Sequence, residues 1–64
     1  MKLRLKDLRE DSDITQKQVA EYLNIQQNTY SQYENGKRDI SVELLSKLAD
    51  YYNVSVDYLI GKTE

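Results

Sequence analysis

The stretch Thr15-Gln16-Lys17-Gln18-Val19-Ala20-Glu21-Tyr22-Leu23-Asn24-Ile25-Gln26-Gln27-Asn28-Thr29-Tyr30-Ser31-Gln32-Tyr33-Glu34 decides the architecture of this chain. Thr15 offers an N-cap hydroxyl, and Gln18 three positions on completes a Thr-x-x-Gln capping box. Val19 and Leu23, four apart, share the inner face of the helix that follows. Beside them the small Ala20 lets another helix cross closely. Asn tolerates a left-handed backbone best after Gly, so Leu23-Asn24-Ile25 reads as a tight corner. Ile25 can plug between the two helices. The next helix is predicted over 26–34, with Tyr30 and Tyr33 three apart on its inner side.

Working outward, Leu5 and Leu8 mark a first helix, predicted to begin near Lys2 and to stop at the turn formers Asp11-Ser12-Asp13. Asn35-Gly36 closes the third helix, Gly36 supplying a positive φ. Ser41 caps a fourth, whose stripe is Leu44, Leu45, Leu48, Ala49 and Tyr52. Asn53-Val54 is a turn, and Ser55 caps a short last helix over 56–60 that ends at Gly61. The expectation is a single all-α domain, residues 1–64, of five short helices around one core.

Composition narrows the function. The 64 residues are 39% hydrophobic and 31% charged, with no Pro, Cys or His. A chain of this size buries only about 60% of its unfolded surface, so each apolar side chain must be used efficiently. Without Cys there are no disulfides or thiolate sites; without His the usual general base and nearly every zinc geometry are gone. No activated nucleophile or Gly-rich phosphate loop is evident, so neither catalysis, a metal nor a cofactor is expected. Glu34 is better read as a partner for Arg9 or another cation of the first helix than as a catalytic carboxylate. Neither a membrane-spanning run nor a signal peptide is present, which makes the cytoplasm the expected compartment.

The net charge of −2 disfavours phosphate binding, but its distribution is uneven. Lys2, Arg4, Lys6 and Arg9 crowd the first helix, Lys37 and Arg38 follow Gly36, and Asp50, Asp57 and Glu64 lie near the end. Lys2, Arg4 and Lys6 fit either a solvated face or a phosphate clamp. Of the six tyrosines, Tyr30, Tyr33 and Tyr52 sit at core spacing. Tyr22, Tyr51 and Tyr58 read as partial surface or dimer contacts.

A helix, a short corner and a second helix can place that second helix in the DNA major groove. The groove is about 12 Å wide and shows a distinct donor–acceptor pattern for each base pair. A reading helix needs planar side chains that both donate and accept near its N-terminus. Here that end carries Gln26, Gln27 and Asn28, with Gln32 a turn further on; Gln and Asn pair bidentately with adenine N6 and N7. Polar surface filling is the alternative for these amides.

In order, Leu5 to Arg9, Thr15 to Leu23, Ile25 to Lys37 and Val54 to Leu59 resemble the phage repressor and Cro type of helix-turn-helix, the XRE family. The resemblance covers about residues 3–61. It implies a lambda-repressor-like DNA-binding domain that acts as a transcriptional regulator, a repressor, on double-stranded DNA, as a homodimer on a pseudo-palindrome, and is nucleoid-associated when bound. An antitoxin or protein-interaction module on the same fold is the alternative, and no small-molecule substrate is implied. By position in the family, Gln27, Asn28 and Gln32 meet base edges. Gln16, Lys17, Gln26, Thr29, Ser31, Asn35, Lys37 and Arg38 fall among backbone contacts, and Gln16 often braces an amide of the reading helix. The chain departs from the family where Asn24 replaces the usual Gly, Ile40 a frequent Pro, and Tyr30 an aliphatic residue whose hydroxyl must find a partner or the surface. Tyr51, Tyr58 and Ile60 are the candidate dimer surface.

Overall fold

A computed structural model describes residues 3–61. Its elements are α1 (Leu5–Asp11), α2 (Gln16–Leu23), α3 (Gln27–Glu34), α4 (Val42–Tyr52) and α5 (Val56–Leu59), with no strand among the described residues. Local chemistry sets the start of three of them. At α2 the Gln18 N–H donates to Thr15 Oγ1 at 3.1 Å while the Thr15 N–H donates to Gln18 Oε1 at 2.8 Å, a reciprocal capping box. Ser41 Oγ accepts from the Leu44 N–H at α4, and Ser55 Oγ accepts from the Tyr58 N–H at α5. Neither α1 nor α3 has a side-chain cap.

One device ends the first four helices. The N–H groups of Ile14, Ile25, Lys37 and Val54 reach back to the carbonyls of Arg9, Ala20, Gln32 and Ala49. Each bond spans a left-handed residue: Asp13 (φ 56), Asn24 (φ 60), Gly36 (φ 75) and Asn53 (φ 57). This is the Schellman closure, which satisfies carbonyls the helix leaves over. At three of the four ends the donor residue is apolar and packs on the core: Ile14, Ile25 and Val54. At α3 it is the exposed Lys37.

The core joins all five helices through Leu5, Val19, Ala20, Leu23, Tyr30, Leu45, Leu48, Ala49 and Leu59. Leu5, Val19, Tyr30, Leu48 and Leu59 are fully buried; burying one such side chain stabilises by about 1.5–3 kcal/mol. Ala20 is 2% exposed, as expected where helices pack closely.

Four expectations shift. First, α1 begins at Leu5 rather than near Lys2, which lies outside the described residues. The Arg4 N–H donates to the Leu59 carbonyl at 3.0 Å, tying the entering chain to α5 instead of to a preceding turn. Second, Gln26 is extended (φ −74, ψ 146) and forms the N-cap, so α3 starts at Gln27. Third, the Tyr30 hydroxyl has reached neither a partner nor the surface. The residue is 0% exposed, and its oxygen lies near Glu34 but outside hydrogen-bond geometry. The last helix is also one residue shorter than expected, with Ile60 as its C-cap.

Candidate nucleic-acid interface

The two faces of α3 are chemically opposite. Tyr30 and Tyr33 bury one face at 0% and 9% exposure, while Gln27 and Asn28 stand exposed on its first turn. Gln26 just before them is exposed as well. Because α3 lacks a side-chain cap, the N–H groups of its first turn remain without acceptors until Tyr30 N–H meets the Gln26 carbonyl. Amides and free N–H groups therefore share one end of the helix.

The remaining residues around α3 are less open. Gln32, Thr29 and Ser31 are half-buried. The Asn35 amide turns back to donate to Ser31 Oγ at 3.4 Å, so two expected backbone contacts engage each other. Lys37 and Arg38 stand exposed just past Gly36. Lys37 occupies the closure position that an apolar residue fills at the other helix ends, so the backbone here turns outward carrying a cation.

Gln16 and Lys17 begin α2, Gln16 half-buried and Lys17 exposed. Thr15 serves only the Gln18 N–H, which leaves the N–H groups of Gln16 and Lys17 outside the intrahelical ladder. The Gln16 side chain does not brace an amide of α3. Its Nε2 donates to Glu34 Oε1 at 3.3 Å.

Glu34 is the hub of a polar cluster among α1, α2 and α3. Arg9 donates to it twice, Nε to Oε2 and Nη2 to Oε1, each at 3.0 Å, and its Nη1 donates to the Ile14 carbonyl at 3.1 Å. The two side chains are 14% and 2% exposed. Burial alone would push the Glu34 carboxyl up; the hydrogen bonds from Arg9, and from Gln16, outweigh it and hold it below its ordinary range. The expected pairing of Glu34 with Arg9 is thus present. The link from Glu34 to Gln16 was missed, because 18 positions separate them and only the helix packing brings them together.

The basic first helix is mostly committed elsewhere. Arg9 is neutralised, and the Arg4 guanidinium lies 4.5 Å over the Tyr58 ring. Lys6 is exposed. On another surface the Tyr22 and Tyr51 rings stack at 4.3 Å, with 46% and 37% exposure, a pairing that single-residue spacing did not signal. Tyr58 is half-buried under Arg4, and Ile60 packs on the core.

Two helices joined at a left-handed Asn24, the second offering exposed amides at an uncapped end, define a helix-turn-helix protein. The family model described as helix-turn-helix matches residues 5–59, and the chain belongs to that family, in its XRE type. Among its relatives is the HTH-type transcriptional regulator ImmR of Bacillus subtilis, 51% identical over 95% of this chain and 48% of that protein. The cryptic phage CTXphi transcriptional repressor RstR of Vibrio cholerae is 34% identical over 95% of the chain and 55% of its own length. The antitoxin PezA of Streptococcus pneumoniae is 36% identical over 91% and 37%. A crystal structure of a transcriptional regulator from Listeria innocua superposes with a TM-score of 0.87 at 33% identity, covering 94% of this chain and 56% of that one. The chain thus spans about half the length, or less, of the proteins it matches.

Proposed function

We propose that this chain is a sequence-specific double-stranded DNA-binding module of a transcriptional regulator, acting as a repressor, with α3 in the major groove. The observation that carries this reading is the division of α3: Tyr30 and Tyr33 lock one face into the core while Gln27 and Asn28 stand free on its first turn. A helix fixed in this way carries its exposed side chains to the base edges from a set position. Gln27, Asn28 and Gln32 read bases. Gln16, Lys17, Gln26, Thr29, Ser31, Asn35, Lys37 and Arg38 hold the backbone, and these contacts set the register.

A module this small covers only about 600–1,000 Å² of DNA, so useful affinity calls for two copies on half-sites about 34–36 Å apart. The stacked Tyr22–Tyr51 pair is the most exposed aromatic surface for such a homodimer. Tyr58 and Ile60, engaged with Arg4 and the core, contribute less. No described helix is long and apolar enough to cross a membrane, in keeping with a protein that works on cytoplasmic DNA.

Selection of bound duplexes from a random pool tests the reading. The expected product is a pseudo-palindrome with affinity falling steeply in salt, about −0.9 in log–log slope per neutralised phosphate. Failure to retain any duplex overturns it. The alternative, a protein-holding module of the antitoxin kind, draws on the relative named as an antitoxin and on the same exposed tyrosine pair.

A further inference from the structure

We propose that Glu34 is a positioning residue for DNA binding: clamped by Arg9, its carboxylate fixes the Gln16 amide in the orientation that donates to a phosphate. This rests on the DNA-binding reading above. Gln16 stands at the first position of α2, half-buried, with Nε2 3.3 Å from Glu34 Oε1. A free glutamine side chain rotates about three bonds and can present either end of its amide. Beside Glu34 it cannot. An ionised carboxylate only accepts hydrogen bonds, so the nitrogen end must face it and the carbonyl end is turned away.

The remaining Nε2–H is then the free donor. A phosphate needs a donor, and a presented carbonyl oxygen would repel it.

The rigidity of the anchor matters as much as its charge. The Glu34 side chain is 2% exposed and held at both oxygens by Arg9, which is itself tied to the Ile14 carbonyl at the end of α1. Three helices therefore meet at one amide. A side chain ordered before DNA arrives does not lose that freedom on binding, an advantage of roughly two- to ten-fold in affinity.

A double-mutant cycle tests the proposal on the duplex recovered from the random pool. The proteins are the wild type, Gln16→Ala, the paired replacement Arg9→Met with Glu34→Leu, and the triple variant. Replacing both ions by apolar residues avoids leaving an unpaired buried charge. The paired replacement should weaken binding roughly two- to ten-fold when Gln16 is present and less than about two-fold in the Gln16→Ala background. Equal losses in both backgrounds would show a purely structural ion pair and overturn the proposal. A wild type that binds no duplex would instead overturn the DNA reading, and this proposal with it. Should the paired variant not fold, the wild type decides by NMR. A Gln16 side-chain amide order parameter above about 0.6 without DNA supports positioning, and one below it refutes it.

Discussion

Arg9 grips Glu34 with two parallel hydrogen bonds of 3.0 Å, joining the first helix to the end of the third across 25 positions of sequence. A planar guanidinium meeting a carboxylate in this way is the strongest ion-pair geometry side chains offer. Its value lies in being complete. Arg9→Met alone would strand the Glu34 carboxylate at 2% exposure, a loss of about 3 kcal/mol. For 64 residues the total stability is about 3–10 kcal/mol, so at the lower end this variant should be about half unfolded near room temperature. Arg9→Met with Glu34→Leu should recover most of the loss in urea unfolding.

The same pair sets acid sensitivity. The folded state holds the Glu34 carboxyl below its unfolded value of 4.5. Its contribution is therefore full above about pH 4.5 and is lost as pH falls through the lower folded value. Thermal midpoints should stay level from neutrality to about pH 5 and then fall. In the Arg9→Met, Glu34→Leu protein this part of the fall should disappear, which parallel melting curves would reveal.

Tyr30 offers the opposite case, a buried polar atom whose removal should help. Its hydroxyl is buried without a hydrogen-bond partner, and burial pushes its pKa well up from 10.0. Tyr52, its hydroxyl likewise buried, is pushed up to about 12, chiefly by burial. Tyr30→Phe should leave stability unchanged or raise it by up to about 1 kcal/mol. A loss of that size in chemical denaturation would mean that the hydroxyl pairs with Glu34 in solution. Because burial raises both pKa values in the fold, these groups leave stability level below pH 10 and lower it as the pH rises above that value.

What the sequence made legible was local chemistry. Thr15 with Gln18, Ser41, Ser55, Asn24 and Gly36 each state a cap or a turn within a few positions, and each stands where that chemistry places it. The inward faces followed from spacing, as with Val19 and Leu23 or Tyr30 and Tyr33. The misses are contacts made only by packing. The start of α1 depends on Arg4 bonding to Leu59, 55 positions on, and the Gln16–Glu34 and Tyr22–Tyr51 pairs arise from how helices cross. The candidate site was legible as a set of amides at one helix end. How firmly each is held was not.

Gln26 caps α3 without a side-chain hydrogen bond, unlike Thr15 at the start of α2. Three other N-caps carry a Thr or Ser that accepts a hydrogen bond, whereas Gln26 leaves the first-turn N–H groups of α3 open. Gln26→Ser should stabilise by about 1 kcal/mol, raising Tm by about 4–8 °C. If those open N–H groups and the Gln26 amide serve DNA, the same change should weaken binding to all sequences alike. A gain in Tm with unchanged affinity would remove Gln26 from the backbone set.

Gln27 and Asn28 should behave differently from the cations that follow Gly36. Both amides are exposed on a helix whose other face is locked by Tyr30 and Tyr33, so trimming either to alanine leaves the fold intact. Each bidentate base contact discriminates by about 1–3 kcal/mol, so Gln27→Ala or Asn28→Ala should lose that much on the selected duplex and relax preference at one base pair per half-site. Lys37→Ala and Arg38→Ala should instead weaken every duplex similarly, each reducing the log–log salt slope by about 0.9. Binding measured against a panel of single-base variants at two salt concentrations separates the two patterns. Should Gln27→Ala and Asn28→Ala lower affinity uniformly across that panel, α3 would be holding the DNA backbone rather than reading its bases.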